Sequence, residues 1–196
     1  TGSARVRSGA AADVSERQGA GPGRVLDPGG TGGDGVGAFN IAATVAFVAA
    51  AGGVTVGKHG NRAVSSSVGS ADVLEALGVR IDLPSERIVA CMRDLGIGFM
   101  FAQLHHGAMR HAAIARKQLG FRTMFNLLGP VTNPARATHQ LLGLFDPERL
   151  TQIAEVLARM GVKRALVVHG PEGMDELGLA GPSRAVLLSD DGGISA

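Results

Sequence analysis

The 196-residue chain is 45% hydrophobic but only 4% aromatic, without Trp or Tyr, so a single domain is expected with a core of Ala, Val, Leu and Ile. A net charge of +2, with scattered Lys and Arg and no basic cluster interleaved with aromatics, argues against a nucleic-acid partner. One cysteine, Cys91, excludes an internal disulfide framework and suits a reducing, cytoplasmic compartment.

Residues 1–26 are rich in Gly, Ala, Ser and Arg without a sustained hydrophobic period, and read as a flexible low-complexity tail ahead of an α/β domain over 27–196. A glycine-dense loop, "GGTGGDGVG" (29–37), leads into "AFNIAATVAFVAAAG" (38–52), an apolar helix stopped by glycine. Residues 38–57 carry no charge, yet Asn40 and Gly52–Gly53 interrupt them, so a buried helix and then a strand fit better than a membrane span. "VTV" (54–56) is that short strand, followed by the polar loop "GKHGNRAVSSSVGS". Two helices are expected next, "ADVLEALG" (71–78) closed by Gly78 and "SERIVACMRDLG" (85–96) capped by Ser85, with Cys91 as apolar filler.

"IGFMF" (97–101) reads as a strand and "HGAMRHAAIARKQLG" (106–120) as a helix. "RTMFNLLGPVTNP" is assigned no element. Beyond it come a strand "HQLLGLF" (139–145), a helix opened by Pro147, and strands "RALVVHG" (164–170) and "RAVLLS" (184–189). Strands alternating with helices predict an α/β fold with a mostly parallel sheet flanked by helices on both faces.

Two nucleotide-binding patterns occur and neither holds. Gly30, Gly32 and Gly35 satisfy G-x-G-x-x-G, but Pro28 spoils the strand that should run into it. The first carboxylate downstream of the following strand is Asp72, too late for a ribose. "GGVTVGK" fits the P-loop pattern, but His59 replaces the magnesium-binding Ser or Thr and the interior is β-branched. Physics nonetheless favours anion binding at both loops, because glycines let backbone N–H groups approach a ligand and the helix expected from Ala38 aims its positive end there. "KHGNR" (58–62) adds cations after a strand, where open α/β sheets bind ligands. Asp175 and Glu176, after the strand "ALVVHG", form a carboxylate pair suited to Mg²⁺ with phosphate and water completing the shell.

The collinear motifs "GTGGD", "KHGNR", "GSADVLEALGV", "GIGFMFA", "RTMFNLLGPVTNPA" and "HGPEGMDEL" resemble anthranilate phosphoribosyltransferase, from about Asp27 to the C-terminus. The resemblance implies transfer of phosphoribose from phosphoribosyl diphosphate to the amine of anthranilate, with release of pyrophosphate, in tryptophan biosynthesis. It implies an α/β domain, a small helical domain and a homodimer, although the family's N-terminal helices, which make much of the usual dimer contact, have no counterpart in this sequence. By position, Gly30, Gly33, Asp34 and Asn40 would contact phosphoribosyl diphosphate. Lys58, His59, Gly60, Asn61, Arg62, Ser65, Ser66 and Ser70 would wrap its phosphates. Gly30, Asn61, His106 and Arg116 would meet anthranilate, Arg116 through the carboxylate. Asp175 and Glu176 would ligate magnesium, and no residue is an obvious general base. His105, His106 and His111 lack the i, i+4 spacing of a shared metal site. His139 and His169 are read as structural.

The chain departs from the family where hydroxyls are expected: Ala38, Ala42 and Ala43 replace residues that would help bind phosphate and magnesium. Thr44 lies about 100° further round a helix and points elsewhere. Gln103 and Gly107 stand in place of prolines, and Gly178 in place of serine. Two other functions remain open at this point: a non-catalytic relative that binds phosphates or nucleic acid, and a nucleoside phosphorylase of the same fold.

Overall fold

A computed structural model describes residues 23–32, 39–63, 68–106 and 123–196. Among the described residues seven strands form one sheet: β1 (Val25–Gly30), β2 (Thr55–Gly60), β3 (Ile97–Phe101), β4 (His139–Gly143), β5 (Arg164–His169), β6 (Arg184–Leu188) and β7 (Ile194–Ser195). Their order is β3-β2-β1-β4-β5-β6-β7. The first five strands run parallel, β6 is antiparallel to β5, and β7 is antiparallel to β6. The mostly parallel α/β sheet read from the alternating elements is therefore correct.

The helices are α1 (Ile41–Ala51), α2 (Ser70–Ala76), α3 (Ser85–Leu95), α4 (Ala102–His105), α5 (Met124–Val131) and α6 (Leu150–Arg159). Strand β3 shows how the two faces are covered. Met100 packs with Ile88 and Met92 of α3, while its alternate neighbour Phe101 packs with Ala71 and Leu74 of α2. The largest apolar cluster lies where α6 covers β4 to β6, through Ile153, Ala154 and Leu157 against Leu142, Val167 and Val186. Among the described residues no helix is long and apolar enough to cross a membrane.

Several expectations need correction. The tail boundary at residue 26 falls inside β1, which is a central strand despite Pro28. Alternate residues of a parallel strand bond to alternate neighbours, and the Thr31 N–H donates to Gly143 of β4, so Pro28 faces β2. Backbone pairing with β2 ends at Leu26 opposite Val56, and Asn133 Nδ2 donates to the Gly57 carbonyl at 2.7 Å in place of the N–H that proline lacks. β2 in turn runs on through Gly57–Gly60, residues expected in a loop, because it pairs with β3 as far as Phe101.

Helix α1 begins at Ile41, not Ala38, with Asn40 as its cap. Only Ala43 and Ala46 are buried, and their small size seats the helix on β1 and β2 while Phe47 and Val48 stay exposed. Ser85 opens α3 from inside, and the cap position belongs to Pro84. Gly78 and Gly96, both left-handed, close α2 and α3. Helix α5 lies where no element was expected; Pro130 sits in its last turn, and Thr123 and Asn126 cap its start. Of the helix expected over 106–120, His106 is non-helical and caps the end of α4, and the rest falls outside the described residues.

Candidate functional site

The chain passes from β1 to β2 on one side of the sheet, then from β3 crosses to β4 on the other side of β1. The boundary between β1 and β4 is thus the topological switch point, and ligands of open α/β sheets bind outside the carboxyl ends of such strands. The loop leaving β1 meets the carboxylate pair at this place. Gly32 N donates to Asp175 Oδ2 at 2.6 Å, across 143 positions of sequence. A Cβ on Gly30 would lie 2.5 Å from the same oxygen, and one on Gly143 would collide with the Asp175 carbonyl. Thr31 fastens the loop to β4, donating its N–H to Gly143 O at 3.0 Å and accepting Phe145 N at 3.2 Å. The glycines are there because backbone and carboxylate approach too closely for side chains.

Two helix starts converge beside this loop. Asn40 Oδ1 accepts Ala43 N at 2.9 Å and the Ser70 hydroxyl at 3.4 Å, joining the amino end of α1 to that of α2. Thr44 offers no substitute for the missing hydroxyls, since its Oγ1 donates to the Asn40 carbonyl at 3.2 Å. The Gly60 Cα closes the gap to α2: a Cβ there would lie 3.0 Å from the Phe99 ring and 3.2 Å from Ser70.

The "KHGNR" segment separates into three environments. Lys58 is buried within the sheet, and its Nζ donates to Pro28 O at 2.8 Å. Burial pushes this ammonium below its ordinary value, against the opposing pull of Asp27 and Glu176. Asp27 is likewise buried, and burial raises its carboxyl to about 6, opposed by Lys58, Asn133 and the His59 N–H. His59 and His106 stand edge to face with Nε2 atoms 3.0 Å apart, so one ring donates and the other accepts. Burial, then His106, pushes His59 down to about 3. His106 is lowered by burial alone, and its Nε2 also lies 3.5 Å from Thr132 Oγ1.

Arg62 turns the other way. Its guanidinium binds Asp72 at 3.0 Å and Glu75 at 2.7 and 3.0 Å, and lies over the Phe101 ring. Asp72 Oδ2 in turn accepts the N–H groups of Ala63 and Gly69, each at 2.9 Å. Both ends of the stretch that follows "KHGNR" are therefore pinned to one carboxylate. Gly69 permits this, because a Cβ would collide with the Ala63 backbone. Asn61 Oδ1 accepts Arg62 N at 2.8 Å and Gln103 Nε2 at 3.3 Å, which gives Gln103 a place in the site where a proline was expected.

The structure thus brings Gly30, Asn40, Gly60, Asn61, Ser70, Asp175 and Glu176 to one end of the sheet. It buries Lys58 beneath that end and directs Arg62 toward α2. Gly33, Asp34, Ser65, Ser66 and Arg116 fall outside the described residues. Among the described residues no group of three or more His, Cys, Asp or Glu is placed to hold a metal. Two hard carboxylates suit Mg²⁺, which keeps water and takes substrate phosphate as its remaining ligands. Asp27, Asn133, Gly143 and the clasp role of Asp72 escaped sequence reasoning. Asp27 stood at the expected start of the α/β domain without a role, although a lone carboxylate in "RVLDPGG" was its one available signal.

A family model described as "Glycosyl transferase family, a/b domain" matches residues 22–196. The anthranilate phosphoribosyltransferase of Myxococcus xanthus is 57% identical over 168 residues, 86% of this chain and 50% of the relative. The crystal structure of that enzyme from Thermus thermophilus superposes with a TM-score of 0.79 at 53% identity, covering 88% of this chain and 51% of the other. The Saccharomyces cerevisiae enzyme in complex with PRPP and Mg gives 0.75 at 31% identity, over 83% and 46%. The chain spans about half the length of the curated relatives it matches. Sequence, sheet topology and the matched region agree that this chain belongs to the glycosyl transferase family through its α/β domain.

Proposed function

We propose that the chain is the phosphoribosyl diphosphate-binding part of an anthranilate phosphoribosyltransferase, which transfers phosphoribose to anthranilate and releases pyrophosphate in tryptophan biosynthesis. The observation that carries this reading is the seating of the Asp175–Glu176 loop on Gly30 and Gly32 at the switch point, beside the helix starts at Asn40 and Ser70. In this reading Gly30, Gly33, Asp34 and Asn40 receive phosphoribosyl diphosphate, and the segment from Lys58 to Ser66, with Ser70, surrounds its phosphates. Asn61, His106 and Arg116 receive anthranilate, Arg116 by its planar fork. When bound by Asp175 and Glu176, magnesium supplies charge neutralisation for the departing pyrophosphate. The protein's own part is positioning, holding the amine in line with the anomeric carbon while the His59–His106 pair stays neutral at its side. A cytoplasmic homodimer belongs to the same reading.

Arg62, bound to Asp72 and Glu75, also ties the loop to α2. The test is direct. Anthranilate fluorescence falls when the protein is mixed with phosphoribosyl diphosphate and Mg²⁺; constant fluorescence at high concentration of folded protein overturns the reading.

The alanines at 42 and 43 favour a second reading, a relative that binds phosphates or nucleic acid without turnover. Titration of single-stranded nucleic acid at two salt concentrations separates the two, because phosphate-driven binding weakens steeply with salt.

A further inference from the structure

The Asp175–Glu176 segment is held from two sides. On one side lie the ends of β1 and β4, where Gly32 N donates to Asp175 Oδ2 at 2.6 Å and Gly143 leaves no room for a Cβ beside the Asp175 carbonyl. On the other side lies the turn that leaves β5. There Gly170 N donates to Met174 O at 2.9 Å, and Met174 N donates to Pro171 O at 3.2 Å. A Cβ on Gly170 would collide with the Glu176 carbonyl, and one on Gly178 would lie 2.5 Å from Pro171 Cδ and 2.6 Å from its Cγ. The pyrrolidine ring therefore rests on the Gly178 backbone, and residues 170 and 171 together seat the chain from Glu176 to Gly178.

The turn keeps a conformation that it would not hold alone. Glu172 is left-handed, with φ 59° and ψ 17°, and Gly173 follows at φ 83°. A left-handed residue other than glycine costs free energy and persists only where its surroundings fix it. Pro171 supplies part of that fixation by locking its own φ immediately before Glu172. Its ring supplies more through Gly178, where a side chain would push it off. Gly178, which stands where a serine was expected, is thus the residue that this ring requires. Backbone strain of this kind collects where groups are set before a ligand arrives. What lies between the ring's seat and the loop leaving β1 is the carboxylate pair.

We infer that Pro171 is a positioning residue: its ring, seated on Gly178, holds the Asp175 carboxylate against Gly32 and so presets the acidic pair for the metal–diphosphate end of the ligand. The identity of that ligand rests on the phosphoribosyltransferase reading above. Without the ring the turn relaxes, Asp175 spends less time on the Gly32 N–H, and the pair has to be ordered anew at each binding event.

The experiment follows amide hydrogen exchange by NMR, without ligand, in the full chain, Pro171→Ala, Gly178→Ala and the double variant. Two adjacent amides report separately: Gly32 N–H bonds to the Asp175 side chain, whereas Thr31 N–H bonds to the Gly143 backbone. Pro171→Ala speeds exchange about fivefold at Gly32 and less than about twofold at Thr31. Gly178 is not left-handed, so its alanine variant meets the ring alone, and Gly178→Ala speeds exchange at Gly32 at least as much. The double variant behaves like Pro171→Ala, because the added methyl group finds no ring. Equal acceleration at both amides makes Pro171 merely structural and overturns the inference. Unchanged exchange at Gly32, or a further effect of alanine at 178 once the ring is gone, also overturns it. If Gly178→Ala does not fold, Pro171→Ala and the double variant carry the test. Calorimetric binding of inorganic pyrophosphate then reads the consequence. Pro171→Ala weakens Mg²⁺-dependent binding about threefold or more and magnesium-free binding less than about twofold. Equal weakening of both, or of neither, overturns the inference. Failure of the wild type to bind magnesium pyrophosphate while the Gly32 response persists counts against the proposed function and leaves Pro171 as the residue that positions Asp175.

Discussion

The Asp175 carboxylate accepts a hydrogen bond from the Gly32 backbone at 2.6 Å, so the acidic pair late in the chain also shapes the glycine loop at its start. One carboxylate then serves both the loop and the candidate metal site. Gly30→Ala places a methyl group 2.5 Å from Asp175 Oδ2. The side chain can rotate away, so stability falls by only about 1 kcal/mol, but the loop loses its tether. Calorimetry with magnesium pyrophosphate is expected to show a larger loss than thermal denaturation does. Gly143→Ala meets the Asp175 backbone instead, which no rotation relieves, and lowers stability by about 3 kcal/mol or more.

Asp72 gathers Ala63 N and Gly69 N on one oxygen and Arg62 on the other. In Asp72→Ala both loop ends lose their common acceptor and Arg62 loses one of its two carboxylates. Limited trypsin digestion is expected to cleave after Arg62 faster than in the wild type, with the fold retained by circular dichroism. Equal cleavage rates contradict the clasp.

The His59 ring gives the stability a defined pH dependence. Burial and His106 lower it from 6.5 in the unfolded chain to about 3 in the folded protein. A depressed histidine contributes stability that is complete above pH 6.5 and declines as pH falls toward 3, because the unfolded chain takes up the proton first. His59→Asn removes this contribution, so its melting temperature falls less between pH 7 and pH 5 than that of the wild type. Asp27, with a raised value and the opposite sign, loses its contribution as pH rises through about 6 and is common to both proteins.

The two alanines at the head of α1 differ in what they tolerate. Ala42 is half-buried, whereas Ala43 is 2% exposed against the sheet. Ala42→Ser is expected to tighten Mg²⁺-dependent binding of phosphoribosyl diphosphate by a few fold, with an unchanged melting temperature. Ala43→Thr adds two heavy atoms to a packed contact and lowers stability by about 1–3 kcal/mol, whatever hydroxyl it supplies. Denaturant titration beside calorimetry separates the two effects.

Local patterning was sufficient wherever a segment carries its own instructions. The apolar stripe of α6, the buried runs of β4 and β5, and the glycine stops at 78 and 96 were legible because periodicity and left-handed glycine act within a few residues. Strand β1 was not legible, because its proline is acceptable only where another group takes the ladder bond it cannot make, here Asn133 on the Gly57 carbonyl. The polar end of β2 was read as loop for a related reason: Gly57–Gly60 have no strand pattern, and β3 alone holds them extended. Helix α5 was hidden by Gly129 and Pro130, which a capped helix carries in its last turn.

The candidate site divides in the same way. Residue types and their order were enough to show which groups are present: glycines free to approach an anion, a carboxylate pair fit for magnesium, and the motifs of the family. What each group faces emerged from the fold alone. Crossover connections bring Asp175 to Gly32, adjacent strands set Lys58 against the Pro28 carbonyl, and α2 supplies the carboxylates that bind Arg62. These relationships depend on contacts between segments far apart in the chain, and spacing along the sequence carries no record of them.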